Sequence, residues 1–162
     1  MMALPAKNRE YIVNALAGTP VILAALLEGL QSTDAAWDLV VDVDRFTLRE
    51  IVAHLADIDP VFIDRIARTF SEVDPTLQDF DENQAALDHD YAHSDVEDSF
   101  ARFQASRAHL IKLLEDLPDH AWTRISHKDG AEWPLYAWAV QVLAHDGYHL
   151  RQVAEWMRRA RG

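Results

Sequence analysis

The stretch LYAWAVQVLAHDGYHLRQVAEW, residues 135–156, decides the fold. At alternating spacings of three and four it carries Leu135, Trp138, Val142, His145, His149, Gln152 and Trp156, the stripe by which an α-helix faces a core. Pro134 stands where such a helix opens, and Arg158, Arg159 and Arg161 suit the negative end of its dipole. Three consecutive stripe positions are polar, although burying an imidazole or amide without a partner costs roughly 1–3 kcal/mol. Three such costs side by side imply a shared partner.

Working back along the chain, Ser94 and Glu97 stand in capping-box spacing before the stripe Val96, Phe100, Phe103, Arg107, Leu110, Leu114 and Leu117, which Pro118 ends. Residues His120 to Trp133 read as an irregular link. Thr47 and Glu50 repeat the capping-box spacing ahead of Leu48, Ile51, Leu55, Ile58, Phe62, Ile66 and Phe70, with Pro60 expected to bend that helix. Val73 to His93, rich in Asp and Asn, reads as a long surface loop with room for one helical turn. The first pattern runs from about Pro5 to Leu30, carrying Ile12, Leu16, Ile22 or Leu23, Leu26 and Leu30, and Thr19-Pro20 predicts a kink or break in it. Gln31 to Phe46 is a packed connection. Four long helical patterns without a strand between them predict an all-α four-helix bundle, and no break in composition divides residues 1–162 into more than one domain.

Composition narrows the function. Asp and Glu number 27 against 15 Lys and Arg, a formal charge of −12, which repels phosphate backbones and anionic lipid and so excludes nucleic acid and membrane as partners. Cysteine is absent, so thiolate ligands, disulfides and a cysteine nucleophile are excluded, and any thiol chemistry must borrow its thiol from a small molecule. Met1 to Ala17 carries Lys7, Arg9 and Glu10 and lacks the apolar core of a signal peptide, and the longest apolar run, Pro20 to Leu27, is far short of a membrane span. A cytoplasmic protein is expected.

His145 and His149, four residues apart, project from one helix face on adjacent turns and can offer two nitrogens to one metal ion or join a hydrogen-bonded cluster. A third nitrogen can come from His54, mid-helix beside Ile51, Leu55 and Ile58, unless that ring is a half-exposed bystander. Three imidazoles leave a coordination position open, the arrangement of a reactive metal. The spacing of H-E-x-x-H recurs in His145-Asp146-Gly147-Tyr148-His149, but Asp replaces the glutamate that would act as base. His89 and His93, also four apart, lie in the acidic loop among Asp88, Asp90 and Asp95 and read as a solvated pair. His109, His120 and His127 fall off the stripes.

The motifs His54-Leu55-Ala56-Asp57 and His145-Asp146-Gly147-Tyr148-His149-Leu150-Arg151-Gln152, with Thr19-Pro20 and Trp37 before them, resemble the DinB/YfiT-like superfamily of metalloenzymes over nearly the whole chain. The resemblance implies a four-helix bundle, frequent homodimers, and a divalent ion, usually zinc or nickel, held by His54, His145 and His149. Relatives include mycothiol-dependent maleylpyruvate isomerases, bacillithiol transferases and metal-dependent hydrolases.

Around such a centre Asp57, three residues after His54, can orient an imidazole, act as base, or pair with Arg65 on the surface. Tyr148 and Gln152 share the histidine face and can donate to a substrate oxygen or pack beside the ligands. Gly147 is expected to leave room for a neighbouring helix or a ligand, and Arg107 must be paired, with a protein carboxylate or an anionic substrate. Trp37, Trp122, Trp133, Trp138 and Trp156 read as packing. The expectation is a metal-dependent enzyme that activates a bound water or a low-molecular-weight thiol against a small-molecule substrate, as a thiol transferase or a hydrolase. The alternative is a non-enzymatic, stress-related or binding protein whose metal is structural.

Overall fold

Five helices form in the computed structural model, which describes residues 4–162: α1 (Ala6–Leu26), α2 (Leu48–Ser71), the short α3 (Glu82–Asp88), α4 (Val96–Asp116) and α5 (Leu135–Ala160). Residues 1–3 of the expected single domain lie outside the described residues. The four long helices make the bundle. Helices α1 and α2 each pack on both α4 and α5, so α1 sits diagonally from α2 and α4 from α5, and the order around the bundle is α1, α4, α2, α5. No helix among the described residues is long and apolar enough to cross a membrane.

Local chemistry sets the boundaries. Thr47 and Glu50 form the expected capping box, each side chain bonded to the other's backbone N–H. At the next long helix the expected cap is displaced by one residue. Asp95 accepts from the N–H groups of Glu97 and Asp98, while the Ser94 hydroxyl donates to the Tyr91 carbonyl, because a carboxylate is the stronger acceptor for helix-end donors.

Helix α1 runs unbroken through Thr19-Pro20, contrary to the expected break. Proline lacks an N–H and therefore leaves the Leu16 carbonyl, four residues earlier, without its helical donor. Arg107 of α4 supplies one at 3.0 Å. Thr19, rather than capping a new helix, buries its hydroxyl against Asp146 of α5 at 2.6 Å.

Two connections are more ordered than the sequence pattern implied. Val73–His93 contains the two-turn α3, capped by Asp81, and a 3₁₀ turn over Tyr91–His93. The supposed irregular link after α4 holds a 3₁₀ turn, Asp119–Thr123, and an antiparallel hairpin of β1 (Ile125–Lys128) and β2 (Ala131–Pro134). The expectation of no strand is thus corrected. Asp129 and Gly130 at its tip both take positive φ, 53° and 75°, the pair of left-handed residues that a tight hairpin turn demands. The Leu77 N–H donates to the His127 carbonyl and the His127 N–H to the Pro75 carbonyl, which straps the segment after α2 onto the hairpin.

The apolar core comes in two halves. One gathers Leu16, Ile58, Phe62, Leu110, Trp138 and Val142, and the other Leu23, Leu55, Phe103, Val153 and Trp156. In α1, α4 and α5 polar residues lie between the halves: Thr19 in α1, Arg107 in α4, and His145, Asp146, His149 and Gln152 in α5. A polar belt therefore crosses the middle of the bundle.

Candidate metal centre

Helix α2 packs on α5 with His54 facing His145 and His149, and the three rings meet in the belt. Ring centroids are 5.0 Å apart for His54 and His145, 4.9 Å for His54 and His149, and 4.5 Å for His145 and His149. One nitrogen from each lies within 4.8 Å of the others, close enough to hold one metal ion. The Nε2 atoms of His54 and His145 are 2.9 Å apart. His54 is fully buried and His149 nearly so, beneath a cover that includes Phe46, Phe80 and Tyr91 around His54 and Phe62 beside His145.

Burial makes these rings poor bases. It pushes the His54 pKa down to about 2, helped by the neighbouring His145 and His149. His145 falls to about 4 through burial and then the Arg107 charge, and His149 to about 4 chiefly through burial. All three are neutral at pH 7 and keep a lone pair free of proton competition. The Nδ1 atoms of His54 and His145 are buried with no hydrogen-bond partner among the described residues, a cost that ordinary core histidines avoid. Three neutral imidazoles, crowded together with one nitrogen each within 4.8 Å of the others, fit a divalent cation.

His149 is oriented by its surroundings. Its Nδ1 lies 3.1 Å from Gln152 Oε1, and the Gln152 amide N–H donates to the Phe46 carbonyl at 3.4 Å, an oxygen that also accepts from Trp156 Nε1 at 3.0 Å. That chain assigns the proton to Nδ1 and turns Nε2 toward the cluster. Gln152 therefore supports a histidine in this arrangement.

Asp146, at the position of the base in H-E-x-x-H, points elsewhere. It accepts from Arg107 and Thr19, and Arg107 also forks onto both Asp59 oxygens at 2.9 Å. Arg107 is thus paired with protein carboxylates. Burial opposes its charge, but the hydrogen bonds it donates to Asp59 and Asp146 outweigh burial and raise its pKa. Burial lifts the Asp59 carboxyl above the usual carboxylate range, against the pull of Arg107.

Asp57 gives one oxygen to His89 and the other to Arg102, each at 2.5 Å, and hydrogen-bonds to none of the three clustered rings. Arg65 is not its partner. His93 pairs with Asp90 in the same segment. Tyr148, 43% exposed, stands edge-on to His149 with its ring centroid 5.0 Å away, at the rim of a cleft of about 140 Å³ that reaches His145 and His149. A Cβ at Gly147 would meet nothing within 4 Å, so no neighbouring helix presses there.

The residue that the sequence reading missed is Glu82, in the first turn of α3. Its side chain is 57% exposed, and Oε2 lies 3.8 Å from His54 Nε2. Asp81 followed by Gln84 carries helix-start spacing, which foretells α3 but not where it docks.

A family model described as the DinB superfamily matches residues 15–153. Among solved structures the chain is similar to YfiT from Bacillus subtilis, described as a probable metal-dependent hydrolase with an unusual four-helix bundle topology. That likeness has a TM-score of 0.88 and 22% identity, covering 98% of this chain and 91% of the other, and it carries the fold. No curated protein matches the chain significantly.

Proposed function

The chain belongs to the DinB superfamily, and from that premise we propose that it is a divalent-metal enzyme whose ligands are His54, His145 and His149. The observation that carries the reading is the buried convergence of three neutral imidazoles, two of them with an unsatisfied nitrogen. Imidazole donors suit zinc or nickel. Such an ion supplies a Lewis acid that lowers the pKa of a bound water or low-molecular-weight thiol and so makes a nucleophile at neutral pH.

The chain's own residues supply the rest. Glu82 Oε2, 3.8 Å from His54 Nε2 and open to solvent, is positioned to accept the proton that the nucleophile loses. Gln152 and the Phe46 carbonyl hold His149 in one tautomer. Tyr148, at the rim of the cleft, has its hydroxyl available to a substrate oxygen. With no cysteine in the chain, a thiol nucleophile comes from a small molecule.

Elemental analysis of the purified protein is the test, with about one equivalent of zinc or nickel per chain expected, since one three-nitrogen centre holds one ion. Absence of divalent metal overturns the reading. Turnover of an activated ester without added thiol supports the hydrolase form. Consumption of an electrophile only in the presence of mycothiol, bacillithiol or glutathione supports the transferase form. In either form Glu82→Gln is expected to lower turnover by about 10²-fold or more with metal content unchanged, the scale of a lost general base. Unaltered turnover would remove Glu82 from the reaction.

A further inference from the structure

A second cavity, of about 200 Å³, also touches His145 and Glu82, and Arg65 lines it. Arg65 is only 7% exposed, yet no carboxylate lies within salt-bridge distance of it among the described residues. One of its NH2 hydrogens goes to the Gln78 carbonyl at 3.0 Å, and its Nε is buried without a partner. Arg107, the other deeply buried arginine, has two carboxylates. The contrast is physical, because a buried cation is expensive until an anion faces it.

The nearby acids do not fill that role. Asp79 is bonded to Lys128, which also holds Asp129, and Asp79, Asp129 and Asp64 act on Arg65 only at longer range. Aromatic rings share the walls with Asp79, Glu82 and Lys128: the guanidinium carbon lies 5.1 Å from the Trp138 ring centroid and 5.6 Å from that of Phe62, and Trp133 stacks on Trp138 at 4.5 Å. A guanidinium fork beside aromatic rings matches a carboxylate attached to a flat body.

We propose that Arg65 is the anion-recognition residue of this site, binding the carboxylate of a small, flat organic acid whose body lies along Trp133 and Trp138 and whose far end reaches His145. The inference deepens the metal-enzyme reading and rests on it for the role of the far end, while the anion site itself stands on Arg65. Arg65 recognises and positions the acid.

Titration of zinc-loaded and metal-free protein with benzoate and with benzamide, followed by calorimetry, tests it. Benzoate is expected to bind at least about tenfold more tightly than benzamide in both forms, as a charge-assisted fork requires. Arg65→Met is expected to erase that preference while zinc content stays unchanged. Equal binding of the two probes, no binding of benzoate, or a preference that survives in folded Arg65→Met overturns the proposal. If that variant does not fold, the benzoate–benzamide comparison on the unaltered chain decides. If the protein holds no zinc, the metal reading falls and the metal-free titration still judges Arg65; if zinc is held and the preference is missing, Arg65 alone falls.

Discussion

The double variant His54→Ala, His149→Ala is expected to emerge from purification with no bound divalent metal, where the parent carries about one equivalent. Only His145 of the three converging rings would remain, and one imidazole does not retain a zinc or nickel ion through chromatography. Elemental analysis beside circular dichroism separates loss of metal from loss of fold. Equal metal content in parent and variant would mean that the ion, if any, sits elsewhere.

The pair has a second signature in acid. In the metal-free parent the three rings have pKa values of about 2, 4 and 4, below the ordinary 6.5. Between about pH 6.5 and 4 the unfolded chain therefore binds more protons than the folded one, and stability falls as pH falls through that window. It is fully present above 6.5. Denaturation midpoints are expected to drop less steeply over this range in the double variant, because only one of the depressed rings remains.

Arg107→Met is expected to cost about 3–5 kcal/mol, the scale of leaving a buried carboxylate without its cation. Two carboxylates, Asp59 and Asp146, would lose their counter-charge, and the Leu16 carbonyl freed by Pro20 would lose its donor. For a chain of this length each kcal/mol shifts Tm by roughly 2–4 °C, so a fall of about 6–20 °C is expected in thermal denaturation. Adding Asp59→Asn and Asp146→Asn should restore part of the loss, since the uncompensated charge is then gone. A single variant that melts within about a degree of the parent would mean that the belt is not held by this ion pair. Because Asp146 adjoins His145, metal affinity should weaken along with stability.

The bundle was legible because its helices obey one period. The capping box at Thr47 and Glu50 and the stripe from Leu48 to Ile66 mark α2 from start to finish, and the run from Leu135 to Trp156 marks α5. His54, His145 and His149 stood out by the same rule, as imidazoles in positions that period assigns to the core. That they share an ion is an inference beyond the period. The hairpin was legible in principle, since Asp129-Gly130 is a strong turn signal, but its strands are four residues each and only partly buried, too short for alternation to stand out. Glu82 and Arg65 were not legible. Glu82 approaches His54 through the docking of a seven-residue helix from an acidic segment, and the significance of Arg65 lies in a missing partner. The spacing of Asp57 left open whether it orients an imidazole, acts as base or pairs with a surface cation, and His89 and Arg102 claim it from the neighbouring segment and α4.

The strap between the Pro75–Leu77 stretch and the hairpin gives the molecule a division of labour. The three imidazoles ride on long helices locked together by Arg107, whereas Gln78, Asp79, Phe80 and Glu82 ride on a separate segment that leans on β1. Changes of sequence in that segment can reshape what the cleft admits while the imidazoles stay where they are. The scaffold that carries the imidazoles and the wall that faces them are thus separate stretches of chain.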